Sequence, residues 1–156
     1  MKFLALFITL FFVNISSTSD ITEVRSLYRY AKDTKENTEK FYKVTQNTDY
    51  QGNPVLSAYY GCALTLKAAY ADRTGQKISF FRKGKKLIEA AIEAEPDNIE
   101  LRMIRLSVQT SAPRITRYYK NKDEDKSFLT DNIEKVSSAK LKKFIKGFMS
   151  TSEAFK

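Results

Sequence analysis

The chain has no histidine, no tryptophan and one cysteine, and its 156 residues include only five glycines and three prolines. Each shortage excludes something. Without histidine, no imidazole can serve as a general base, a switch near neutral pH or a metal ligand. With Cys62 alone, neither an intrachain disulfide nor a cysteine zinc site can form. A phosphate-cradling glycine loop, a dinucleotide fingerprint and a serine elbow are all missing. Asp123, Glu124 and Asp125 are contiguous and lack the glycine and terminal glutamate of a calcium loop. The sequence therefore predicts no catalytic residue, no metal site and no cofactor.

What is abundant points to helix. Lys, Glu, Ala and Leu are common, glycine and proline are scarce, and no stretch carries a strand signal. The length suits one domain with one hydrophobic core, and 42% apolar against 29% charged residues fits a folded chain. The predicted fold is all-α, an antiparallel bundle of about six or seven helices.

The amino terminus has Lys2, a run of apolar or small residues from Phe3 to Val13, and a tail of small polar residues, the pattern of a signal peptide. The run falls short of the roughly 20 apolar residues of a spanning helix, so cleavage is favoured over an uncleaved anchor. Ser17 and Ser19 place small residues before a cut that leaves Asp20 as the new terminus. The expectation is a signal peptide over 1–19, a single helical domain over 20–156 without a transmembrane span, and a secreted or periplasmic product. Removal takes away Lys2 and no acid, leaving 26 basic against 18 acidic residues and a formal charge of +8. Such an excess bears on partners and solubility rather than on fold.

Asp20 with Glu23, and Asp33 with Glu36, have capping-box spacing ahead of two short amphipathic helices. Ile21, Val24, Leu27, Tyr28 and Ala31 form the stripe of the first, and Phe41, Tyr42 and Thr45 belong to the second. A central hairpin follows over 53–98. Asn53 and Pro54 open its first helix, which from Val55 to Ala71 carries only Lys67 as a charge and must be covered on most sides. Gly61 and Ala63 let a neighbouring backbone approach, and Gly75 in the DRTGQ segment suits a helix end. In the second helix Phe81, Gly84, Leu87, Ile88, Ala91 and Ile92 share one side before Pro96. Asp97 and Glu100 have capping spacing ahead of a helix that is apolar except for a stripe of Arg102, Arg105 and Gln109. Pro113 is expected to start a helix carrying Ile115, Tyr118 and Tyr119, with Asn121 to Lys126 as a charged loop or frayed start. Phe128 to Val136 and a last helix capped by Ser137 or Ser138 complete the chain.

The segment YYGCAL, the small residue Gly84 and the ending AAIEAEPDN resemble a tetratricopeptide repeat, in which small residues sit inside two packed helices and a proline closes the second. The likeness covers roughly residues 53 to 120. From Gly61 to Pro96 is 35 residues, against a spacing of about 24 in the repeat, so the first helix and its turn are longer here. The chain is also similar in pattern to small secreted helical proteins of environmental bacteria of the Bacteroidetes type. The resemblance implies a helical-hairpin interaction scaffold and no catalytic residue.

Charge is the remaining anomaly. Arg73, Lys77, Arg82, Lys83, Lys85 and Lys86 fall within fourteen residues that contain no acid, near the start of a helix whose acids, Glu89, Glu93 and Glu95, lie toward its end. This order opposes the helix dipole at about 0.3–1 kcal/mol per exposed charge. An anion-binding face is one reading; the other, which the frequency of such runs favours, is a solvated face with Lys85 paired to Glu89. Lys140, Lys142, Lys143 and Lys146 repeat the theme opposite Leu141, Phe144, Ile145 and Phe148, a pattern that suits either a membrane surface or, preferably, packing on the bundle. Arg102, Arg105, Tyr118 and Tyr119 form a candidate groove for a partner, against the alternative of core tyrosines and surface-covering arginines. Cys62 is expected to be buried and inert.

Two functions follow, with an enzyme as a third and weaker option. The leading one is a secreted, non-catalytic helical scaffold with a protein partner. The alternative is a cationic binder of anionic envelope components, lipid headgroups or acidic glycan, through the Arg73–Lys86 face. Secretion makes nucleic acid a less natural partner.

Overall fold

Asn53 and Pro54 begin the most deeply covered helix, the Asn53 side chain accepting the Leu56 amide at 3.1 Å. In the computed structural model, which describes residues 21–48 and 50–156, this helix is the third of seven. They are α1 (Ile21–Tyr28), α2 (Lys35–Gln46), α3 (Pro54–Tyr70), α4 (Thr74–Ala94), α5 (Ile99–Ser111), α6 (Lys122–Asn132) and α7 (Ala139–Thr151). Short 3-10 turns cover Arg114–Thr116, Ile133–Lys135 and Glu153–Phe155, and no strand occurs among the described residues. Among the described residues the fold is all-α, with seven helices. The expected signal peptide and the Asp20 half of the first capping box lie outside the described residues.

Helix α3 is buried without a break from Ala58 to Leu64, as a helix with one charge requires. Its hairpin partner α4 comes so close that side chains are excluded at the crossing. A Cβ on Gly61 would stand 2.7 Å from the Gly84 carbonyl oxygen, and one on Gly84 would collide with the Gly61 carbonyl oxygen and with Thr65. A helical glycine costs roughly 1 kcal/mol against alanine, and backbone-level packing offsets that cost here. Ile88, Ala91 and Ile92 continue the inner face of α4. They join Leu101, Met103, Ile104 and Leu106 of α5, with Leu129 of α6 and Ile145 of α7, in one core cluster.

Several local expectations are corrected. Gly75 does not end α3; it lies in the first turn of α4, and Ala71 in extended backbone is the cap. Thr34, not Asp33, caps α2, its hydroxyl accepting the Asn37 amide at 3.1 Å. Asn98, not Asp97, caps α5, accepting from Glu100 and Leu101, which frees the Glu100 side chain to turn inward. After Pro113 there is one 3-10 turn rather than a helix, ended by Arg117 in the left-handed region at φ 52°. The Lys122–Lys126 segment is regular helix, and its three consecutive acids favour the positive end of the α6 dipole. Ser138 caps α7.

Candidate functional site

Helix α5 lies in the core, so its polar residues need partners rather than water. Arg105 is 4% exposed and meets Asp125 of α6, which is fully buried. Arg105 donates through Nε to Asp125 Oδ2 at 2.7 Å and through Nη2 to Oδ1 at 2.7 Å, a two-pronged bond. Its Nη1 reaches Glu89 of α4 at 3.2 Å. Arg102, one turn earlier, donates to Glu124 at 2.6 Å and to Asp125 at 3.0 Å. Burial works against the Arg105 charge, but the bond and charge of Asp125 outweigh it and hold the guanidinium above its ordinary value. Glu124 is held below the usual carboxylate range by its bonds from Asn121 and then from Arg102.

Tyr118 completes this cluster from the link between α5 and α6. Its hydroxyl donates to Glu89 at 2.5 Å, and burial followed by that bond pushes its phenol above the ordinary range. The ring is edge-on to Phe81, centroids 6.1 Å apart, with the Lys85 ammonium 5.0 Å from its centroid. Glu89 is thus engaged by Arg105 and Tyr118, not held in the expected Lys85 pair.

A second buried cluster lies at the start of α5. Glu100, 2% exposed, accepts from Arg25 of α1 at 2.7 and 2.6 Å and from the Tyr59 hydroxyl of α3 at 2.6 Å. The bond to Glu100 raises the Arg25 value, and burial followed by the Glu100 charge raises that of Tyr59. Sequence reasoning missed both Arg25 and Glu100, because capping spacing gave Glu100 a different task.

The basic run of α4 is arranged otherwise. Arg73, Lys77, Arg82, Lys83, Lys85 and Lys86 are all exposed. None of the six makes an ion pair among the described residues. Lys83 lies over the Tyr60 ring at 5.6 Å, so its stem is held while its charge faces water. The shallow surface beside Arg82, Lys85 and Lys86 is closed by Glu89, Ala90 and Glu93.

The two candidate sets therefore separate. Arg102, Arg105 and Tyr118 come together, but as a neutralised, largely buried cluster, with Tyr119 left outside at 51% exposure. Of the six cations, Arg82, Lys85 and Lys86 come together on an open surface that Glu89 and Glu93 share, while Lys83 turns to Tyr60 of α3. In α7, Phe144 and Ile145 are buried, while Lys142 and Lys146 turn to Glu134 at 3.7 and 2.6 Å, so its apolar face packs on the bundle. Cys62 is buried, and burial pushes its thiol up to about 12.

Among the described residues, no group of three or more thiols and carboxylates is placed to hold a metal ion, and no helix is long and apolar enough to cross a membrane. No family model, no curated protein and no solved structure matches the chain.

Proposed function

We propose that this protein is a secreted, non-catalytic helical binding module that holds anionic envelope material on the outer face of α4. One observation carries the reading: the six cations between Arg73 and Lys86 are exposed and have no ion-pair partner among the described residues, while Glu89 of the same helix, part-exposed beside them, is engaged by Arg105 and Tyr118. Arg73 and Lys77 stand at the start of α4 and Arg82 to Lys86 at its middle, so mutual repulsion of exposed like charges, rather than the helix dipole, raises the free energy of the unliganded protein, and an anion relieves it. The close Gly61–Gly84 crossing of the hairpin gives that face a rigid backing.

The test is binding of the purified protein to an acidic polysaccharide and to anionic vesicles at stepped salt. Binding at low salt that weakens steeply as salt rises is expected, as is its loss when Lys83, Lys85 and Lys86 are changed together to Glu. No binding at low salt, or binding indifferent to the triple change, would remove this reading.

A protein scaffold is the second reading, favoured by the exposed apolar residues at the hairpin tip, Tyr70 at 36% and Ile78 at 51%. Recovery of a stoichiometric protein partner by a salt-insensitive interaction that fails with Ile78→Asp is its signature.

A further inference from the structure

The basic face of α4 continues onto the link between α5 and α6. Helices α4 and α5 are joined by a short turn over 95–98 and tied by Arg105 to Glu89, so the carboxyl end of α5 lies beside the amino-terminal half of α4. Tyr118 fixes the link there through Phe81, Lys85 and Glu89. Around that anchor Arg114, Arg117 and Lys120 are exposed, and no acid occurs from Leu101 to Lys122. Among these cations Ile115 is 90% exposed and Tyr119 51% exposed. On α4, Ile78 is 51% exposed, one turn before Phe81 on the same side. The Arg117 backbone is left-handed, a conformation that costs a side-chain-bearing residue on the order of 1 kcal/mol and persists where neighbours impose it.

A lone exposed isoleucine is ordinary on a protein surface. This one stands at the tip of a short turn anchored by a buried tyrosine, with arginines on both sides and Lys85 of α4 on that tyrosine's ring. We propose that the α5–α6 link and the amino-terminal half of α4 form one surface that docks on an anionic lipid membrane. The cations meet lipid phosphates, and Ile115 enters the boundary between headgroups and acyl chains. Tyr119 suits the same depth, with its ring apolar and its hydroxyl wet. The proposal rests on the anion-binding reading of α4 and narrows it to lipid, because a soluble acidic polysaccharide would engage the cations but leave Ile115 in water.

The lack of tryptophan makes Ile115→Trp a single fluorescent reporter. With vesicles of phosphatidylcholine doped with phosphatidylglycerol, the introduced indole is expected to shift to the blue and to be quenched by bromine-labelled acyl chains; pure phosphatidylcholine is expected to leave it unchanged. Ile115→Ser is expected to weaken partition onto the anionic vesicles by about 10-fold or more, the effect of losing most of a buried aliphatic side chain, and to leave acidic polysaccharide binding unchanged. Three results would overturn lipid docking while sparing the anion-binding reading: polysaccharide binding without vesicle binding, vesicle binding with an unshifted indole, or an Ile115→Ser protein that partitions as well as the parent. Binding to neither at low salt would overturn both.

Discussion

Helices α4 and α5 are neighbours, and both carry cations that a sequence scan groups together, yet their charges have opposite fates. The arginines of α5 are matched by the buried Asp125 and, toward the surface, by Glu124 and Glu89. The lysines and arginines of α4 face water without an ion-pair partner among the described residues. The first arrangement ties α6 and α4 to α5; the second leaves its charges in water, with Lys83 and Lys85 resting only on the Tyr60 and Tyr118 rings. Positive charge alone therefore does not identify a binding surface. What distinguishes the two sets is where the acids went.

The largest expected effect comes from breaking the α5 side. Asp125→Ala leaves Arg105 buried without its main counter-charge, and chemical denaturation is expected to record a loss of about 3–5 kcal/mol. Next comes the inner face of α4. Gly84→Ala forces the Gly61–Gly84 crossing apart, and a loss of about 1–3 kcal/mol is expected from the same measurement, with the outer cations untouched. A neutral outcome there would mean that the hairpin tolerates a wider crossing. By contrast, Arg82→Gln combined with Lys86→Gln is expected to change stability by no more than about 0.5 kcal/mol. A large loss in that pair would show that the outer face is structural after all.

Alkaline pH acts on the neutralised side. The phenols of Tyr59 and Tyr118 lie above their ordinary value of 10.0 when folded, so folding favours their protonated forms. The stabilisation linked to them is fully present below about pH 10 and is lost as pH rises through the folded values. Tyrosinate absorbance from these two, followed through Tyr59→Phe and Tyr118→Phe, is expected to rise together with loss of helical circular dichroism. Ionisation of either phenol in a fully helical protein would contradict the burial described here. The smallest effect concerns Cys62: its thiol is expected to stay unreactive toward a disulfide reagent until denaturant opens the protein, without any change in stability at neutral pH.

The helices were legible because their signals are local. Asn53–Pro54, Ser138 and the α4 stripe state their own starts and faces, and the near absence of charge in α3 announces its burial. The errors also have local causes. Gly75 carries the composition of a helix end, but a turn of three residues brings it into the next helix. Glu100 has the spacing of a capping partner, yet Arg25, 75 residues away, draws it into the core. No pattern within α5 specifies that partner. Asp125 was within reach: two arginines on an otherwise apolar helix require a buried counter-charge, and Asp125 shares a face with Leu129 one turn later. The neighbours of Ile115 became visible only when Tyr118 was seen anchoring the link to α4.

The most direct test is the salt dependence of binding to an acidic polysaccharide, comparing the parent protein with one in which Arg82, Lys83 and Lys86 are changed to Gln. The prediction is a weaker interaction whose logarithmic salt slope is shallower by roughly one for each cation that contacts the ligand. An unchanged slope and affinity would contradict the assignment of the α4 face as the binding surface.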